Sequence, residues 1–114
     1  MKGFRAWCEI VREEREYFKR YKEYAKKIKE IVEGEVGDVD VIVFGSVVEG
    51  KATPKSDIDV LVVSENMPSK EKRGFLRAKI LKEIGLFSPF EIHLVNKKEF
   101  EWYRKFLKKY EAID

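Results

Sequence analysis

The chain has 114 residues, 44% of them hydrophobic and 39% charged, which suits one domain with a single modest core. Its net charge is +3, but Glu is spread through the same segments as Lys, so the balance falls short of a nucleic-acid-binding signature. Cys8 is the only cysteine, which excludes an internal disulfide and a Cys-rich zinc site.

No apolar run approaches the ~20 residues that span a bilayer, and no secretory segment is evident, so a cytoplasmic protein without membrane contact is expected. The interleaved Lys and Glu are typical of solvated helix faces and common in proteins that work hot, so a thermophilic source is expected.

In chain order, residues 3–33 read as one long helix. Phe4, Val11, Phe18, Ala25 and Val32 recur every seventh position, with Trp7, Tyr21 and Ile28 on the neighbouring row. Gly34 and Gly37 are expected to end it. Such a helix would be about 45 Å long, against a radius of gyration near 13 Å for a domain of roughly this size. Either it breaks near Glu13–Glu16, or part of it packs against another chain.

The run VDVIVF (39–44) is short and β-branched and predicts a strand; IDVLVV (58–63) predicts a second. A helix follows from an N-cap at Ser69 to Ile84, with Gly74 inside it and Gly85 ending it. FEIHLV (90–95) predicts a third strand, with Phe90, Ile92 and Leu94 on one face and Glu91, His93 and Val95 on the other. Asn96 and Glu99 have the spacing of a capping box. They open a last helix from Lys97 to about Ala112, striped by Phe100, Tyr103, Phe106 and Tyr110, with Trp102 off the stripe. The order predicts one compact α/β (α+β) domain, with a small mixed sheet of three to four strands flanked by helices.

Asp57 and Asp59 are one residue apart where the second apolar run begins. On a strand, positions i and i+2 share a face, about 6.6 Å apart. Two like charges so placed repel and raise at least one pKa, unless a cation lies between them. Hard oxygen ligands suit Mg²⁺, and Glu91 becomes a third candidate if its strand adjoins the second. Asp also opens strands and caps turns, so the pair alone decides nothing. Gly45-Ser46 adds a turn at the end of the first strand, where Gly permits close backbone approach and Ser offers a hydroxyl and an amide to an anion. A short helix from Val47 would follow. His93, two residues beyond Glu91, could bind metal or shuttle a proton, although a lone strand histidine is more often structural.

The stretch GSVVEGKATPKSDIDVLVV (45–63) resembles the signature of the DNA polymerase β-like nucleotidyltransferase superfamily, in particular its small prokaryotic members, the minimal nucleotidyltransferases. The resemblance covers Val39 through Val95. It implies one nucleotidyltransferase domain over 1–114, with a long helix over 1–34, a catalytic core over 38–96 and a C-terminal helix over 97–114. Gly45 and Ser46 would hold the phosphates of a nucleoside triphosphate. Asp57, Asp59 and Glu91 would be the catalytic, metal-binding set for two Mg²⁺ ions, with Mn²⁺ as a substitute.

Many small members carry arginines after the Gly-Ser; here Glu49 stands in that stretch. Lys51 and Lys55 are the cations that would offset it, and with Ser56 they join the expected nucleotide-binding set. The implied reaction moves a nucleoside monophosphate, AMP from ATP, onto a hydroxyl. The implied partners are a HEPN-type protein, with this chain as the antitoxin of a toxin–antitoxin pair, and a second copy bound through the first helix. The alternative is a non-catalytic nucleotide-binding or toxin-neutralising relative, which Glu49 favours. A nucleic-acid-binding module would rest only on the pI near 8.9.

Overall fold

The computed structural model describes Gly3 and residues 15–114. The N-terminal part of the expected long helix, with Cys8, Phe4, Trp7 and Val11, lies outside them. Residues 15–19 are helical, Arg20 forms a turn, and helix α1 runs Tyr21–Val36. Among the described residues an interruption falls at Arg20, whose φ of −113° leaves the helical region; of the expected break at Glu13–Glu16, residues 15–16 are helical and 13–14 lie outside the described residues. Gly34 lies inside α1. Gly37 alone ends it, with φ 86° and its N–H donating to Glu33 O at 3.0 Å.

Strand β1 (Asp40–Phe44) leads into a short helix α2 (Ser46–Glu49). Strand β2 (Ile58–Val63), helix α3 (Lys70–Ile84) and strand β3 (Phe90–Val95) follow, then helix α4 (Lys97–Arg104) and strand β4 (Tyr110–Ile113). The sheet has four strands in the order β3-β2-β1-β4. β1 is antiparallel to β2 and β4, while β2 and β3 are parallel, with α3 as the crossover that a parallel pair requires. Among the described residues no helix is long and apolar enough to cross a membrane.

Period-2 alternation assigns the two sheet faces. One face carries Val41 and Val43 of β1, Ile58, Val60 and Val62 of β2, and Phe90, Ile92 and Leu94 of β3. Ala25, Ile28 and Val32 of α1 pack on it with Leu76, Ile80 and Ile84 of α3. Each such side chain contributes about 1.5–3 kcal/mol when fully buried, and this face is the main core. The second face is smaller: Leu61, Val63 and Val95, with Ile42, Phe44, Phe100, Tyr103 and Leu107 packed against them. Helix α4 leaves much of this face open, and that is where the functional side chains stand.

The expected C-terminal helix to Ala112 is corrected. The helix stops at Arg104, and residues 110–113 pair with β1 instead, from Phe44↔Tyr110 to Val41↔Ile113. Helix α1 holds this strand in place. Tyr21 OH donates to both oxygens of Glu111 (2.9 and 3.0 Å), and Lys29 Nζ donates to Ile113 O at 3.2 Å. Burial, then the Glu111 carboxylate, pushes the Tyr21 hydroxyl up to about 12. The aromatic stripe splits accordingly: Phe100 and Tyr103 pack on the sheet, while Phe106 and Tyr110 are exposed.

A single buried cation joins three elements. Arg73 of α3, only 8% exposed, donates from Nε to Pro68 O (2.8 Å) and from Nη1 to Leu94 O (3.2 Å) and Glu99 Oε2 (2.9 Å). Glu99 closes the capping box of α4: its N–H donates to Asn96 Oδ1 (2.8 Å), and its Oε1 accepts from Asn96 N–H (3.0 Å). The Arg73 hydrogen bond, aided by the Asn96 N–H and opposed by burial, holds the Glu99 carboxyl below its ordinary value of 4.5.

Breaking a buried pair from one side costs about 3–5 kcal/mol, and Arg73→Ala is expected to destabilise the protein on that scale in urea denaturation. Since the folded-state pKa of Glu99 is depressed, its contribution is full above the unfolded value and disappears as pH falls through the folded one. The acid limb of the wild-type stability curve is therefore expected to be steeper than that of Glu99→Gln. Parallel limbs would show that this pair does not set the acid response.

Candidate active site

The site begins with a register. In the parallel β2–β3 pair, Asp59 lies opposite Glu91 and Leu61 opposite His93. Direct neighbours on adjacent strands share a face, so Asp59, Glu91 and His93 all rise from the sparsely covered side of the sheet. Their ligand atoms lie within 4.8 Å of one another. His93 Nε2 is 3.4 Å from Asp59 Oδ1 and 3.9 Å from Glu91 Oε1. The Asp59 and His93 side chains are 24% and 20% exposed, whereas Glu91 is 54% exposed and reaches solvent.

Asp57 is not on the strand. β2 starts at Ile58, whose N–H donates to Pro89 O at 2.8 Å, and Asp57 is exposed at the end of the preceding loop. It is still electrostatically coupled to the cluster. Partial burial first, then the negative charges of Asp59 and Asp57, push the Glu91 carboxyl above its ordinary value, against the lowering effect of His93.

β1 delivers the turn. Gly45 has φ 82° and ψ −155°, a region L-residues rarely enter. A Cβ there would come 2.5 Å from Asp59 Oδ2, so glycine is what lets the backbone run against that carboxylate. Ser46 then starts α2, and Gly50 closes it in the left-handed region with φ 73°. Lys51 follows, exposed, its N–H donating to Ser46 O at 2.9 Å. In the loop, Ser56 Oγ accepts from Thr53 N–H at 2.8 Å and lies 3.2 Å from Thr53 Oγ1. The Ser56 hydroxyl therefore shapes the approach to Asp57. Lys55 and Glu49 are exposed.

Strand alternation puts His93 on the face of Glu91, and helical spacing puts Tyr103 in an aromatic stripe. The structure ties the two together. Tyr103 OH lies 3.3 Å from His93 Nδ1, and the imidazole sits between the rings of Tyr103 and Phe44, with both centroid distances 5.6 Å. A metal-facing or carboxylate-facing imidazole is commonly oriented through its other nitrogen. The only signal for His93 was strand alternation; for Tyr103 there was none.

The donor set fits a divalent cation. Two carboxylates and an imidazole converge on one spot, and a third carboxylate stands at its rim. Oxygen ligands favour Mg²⁺ or Mn²⁺, and an added imidazole shifts the preference toward the softer ion.

Residues 25–114 match the family model described as a nucleotidyltransferase domain. A protein of Methanocaldococcus jannaschii, provisionally named a protein adenylyltransferase, is 42% identical over 48 residues, which are 42% of this chain and 31% of that protein. The chain thus spans about a third of that curated relative. A crystal structure provisionally named a nucleotidyltransferase superposes with a TM-score of 0.66 at 39% identity, covering 78% of this chain and 96% of the other. A second, from Sulfolobus solfataricus and likewise provisionally named, shares the fold with a TM-score of 0.56 at 24% identity, covering 88% and 85%. With the four-stranded mixed sheet on the page, these matches give the conclusion: the chain belongs to the nucleotidyltransferase domain family.

Proposed function

We propose that this chain transfers AMP from ATP to a hydroxyl acceptor on a polypeptide, with Asp57, Asp59 and Glu91 as the metal-binding, catalytic set. The observation that carries this reading is the Asp59–Glu91 register beside the Gly45 turn. Mg²⁺ or Mn²⁺ bound by these carboxylates would neutralise charge on the triphosphate and activate the attacking hydroxyl. The Gly45-Ser46 turn offers backbone and hydroxyl contacts to the phosphates on the β1 side. Lys51 and Lys55, exposed on the following loop, supply positive charge, and Ser56 fixes the loop that carries Asp57.

The acceptor oxygen forms a bond to the α-phosphorus while the bond to the bridging oxygen of pyrophosphate breaks. Glu91, the most exposed of the three clustered groups and raised above its ordinary carboxyl value by partial burial, takes the hydroxyl proton. His93, held by Tyr103, orients Asp59. The polypeptide acceptor is supported by the name of the Methanocaldococcus jannaschii relative, and a HEPN-type protein neutralised by adenylylation is the partner that the family resemblance adds. Glu49, exposed at the end of α2, favours a second reading, in which the fold binds nucleotide or partner without transfer.

Incubation with α-labelled ATP and Mg²⁺ or Mn²⁺, with and without a co-expressed HEPN-type protein, is expected to label protein. Asp59→Asn and Glu91→Gln are each expected to reduce labelling at least ~100-fold, the scale of losing one preorganised charged group at a reaction centre. Label unchanged in both variants would refute the assignment of the site. Partner binding retained by the wild type and by Asp57→Ala/Asp59→Ala, with no label from either, would favour the non-catalytic reading.

A thermal-shift measurement separates metal binding from chemistry. Mn²⁺ is expected to raise the Tm of the wild type and to leave that of Asp59→Asn nearly unmoved, because binding stabilises only the state that holds the ion. Without metal, Asp59→Asn is expected to melt at or above the wild-type temperature, since a like-charge contact has been removed.

A further inference from the structure

β3 is an edge strand, and a groove of about 740 Å³ runs along its free side between α3 and α4. Glu91 and His93 line one end of it, Lys70 and Arg77 line the α3 wall, and Trp102 and Tyr103 line the α4 wall. Gly45, at the end of β1, lies against Asp59 on the opposite side of β2 from this groove. The groove is thus continuous with the reacting centre on the side away from the turn that would hold phosphate.

The hydrogen-bonding character of the groove is lopsided. Ile58 N–H donates to Pro89 O and Ser64 N–H to Val95 O, so the odd-numbered residues here turn their carbonyls to β2, and the peptide groups of Ile92 and Leu94 face the free edge. Two of the outward carbonyls are already taken, Ile92 O by Arg77 Nε (3.1 Å) and Leu94 O by Arg73 Nη1 (3.2 Å), which leaves that of Phe90 at the start of the strand. An incoming chain cannot form a full strand ladder there, because two consecutive outward acceptors are engaged. Donors remain: the Ile92 and Leu94 N–H groups, the outer nitrogens of Arg77, the Lys70 ammonium and the indole N–H of Trp102, which is 58% exposed. Arg73 is neutralised by Glu99, whereas Arg77 spends its Nε on a carbonyl and keeps its charge.

We propose that this groove is the acceptor site, and that its occupant is an acidic polypeptide segment whose hydroxyl-bearing residue is presented to Glu91. Carboxylates and carbonyls of such a segment match a donor-rich, cationic wall, and Trp102 provides an exposed ring on which a side chain of the segment packs. A nucleic acid is the weaker fit. Glu99 pairs with Arg73 at 2.9 Å and lies 3.8 Å from the exposed Lys70 Nζ, so Lys70 and Arg77 leave at most two cations, too few to follow a chain of phosphates. The assignment rests on the transferase reading above.

The test uses a short fluorescent peptide with one serine and one tyrosine flanked by glutamates, its counterpart flanked by lysines, and a short RNA with a free 3′-hydroxyl. Anisotropy reads binding, and label from α-labelled ATP reads transfer. The glutamate peptide is expected to bind and to be labelled in preference to the other two. Arg77→Glu and the more exposed Lys70→Glu are each expected to weaken that peptide about 10-fold or more, the scale of one charge-assisted hydrogen bond, and Trp102→Ala is expected to weaken it as well. In Arg77→Glu and Lys70→Glu the lysine peptide should gain.

Transfer that ignores peptide charge and both charge reversals would overturn the groove alone, as would preferential labelling of the RNA. The glutamate peptide bound without any transfer would overturn the transferase reading, and with it the acceptor role. Melting curves of Lys70→Glu, a solvent-facing change, guard against reading misfolding as lost recognition.

Discussion

One constraint organises this molecule: the parallel register of β2 and β3 places Asp59 beside Glu91 on a sheet that otherwise buries Val, Ile and Leu. Adjacent carboxylates are unfavourable in a bare fold, and the charges of Asp59 and Asp57 add to the partial burial that raises the Glu91 carboxyl. The register cannot relax to avoid it. A shift by one residue would turn Ile58, Val60 and Val62, all fully buried, away from α1 and α3 and drive Asp59 into the core. The main core thus enforces the charge cluster on the opposite face. Gly45 belongs to the same constraint, since its backbone occupies the space beside Asp59 that any side chain would fill.

A second constraint sits at the far end of β3. Arg73 bridges the entrance of α3, the end of β3 and the capping box of α4. Helix α4 carries Tyr103, which reaches His93, so the aim of the imidazole depends on an ion pair located beyond the carboxylates. The small second core of Leu61, Val63 and Val95, with Phe100 and Leu107, seats α4 without burying it deeply. It leaves the cluster accessible on one side and supported on the other.

The elements legible in the sequence were those whose pattern is local. β2 and β3 have the expected bounds, because alternation of Val, Ile and Leu with polar residues leaves little choice of face, and Gly85 and the Asn96–Glu99 box mark real ends. β4 was not legible. Phe100, Tyr103, Phe106 and Tyr110 recur at near-helical spacing with no Gly or Pro between them, so periodicity alone extends the helix. Pairing with β1 and the contacts from Tyr21 and Lys29 override it, and these partners are about 70 or more positions distant in the chain. Gly34 misled in the other direction: a mid-helix glycine costs only about 1 kcal/mol relative to Ala, too little to end a helix. In the site, Asp57 and Asp59 looked equivalent because both were counted on one strand. The bond from Ile58 to Pro89 starts β2 between them and makes one a cluster member and the other a rim charge.

An in-line displacement needs its entering and leaving groups on opposite sides of phosphorus, and the strand order supplies two flanks. On the β1 side is the Gly45 turn; on the β3 side are Glu91, His93 and a groove walled by α3 and α4. Glu91, more exposed than Asp59, stands on the second flank. That asymmetry has a physical origin. Glu91 lies on an edge strand with no neighbour beyond it, whereas Asp59 is enclosed by β1, the glycine turn and His93. The same strand order that exposes Glu91 shields Asp59, so the two carboxylates are unlike before any ligand binds.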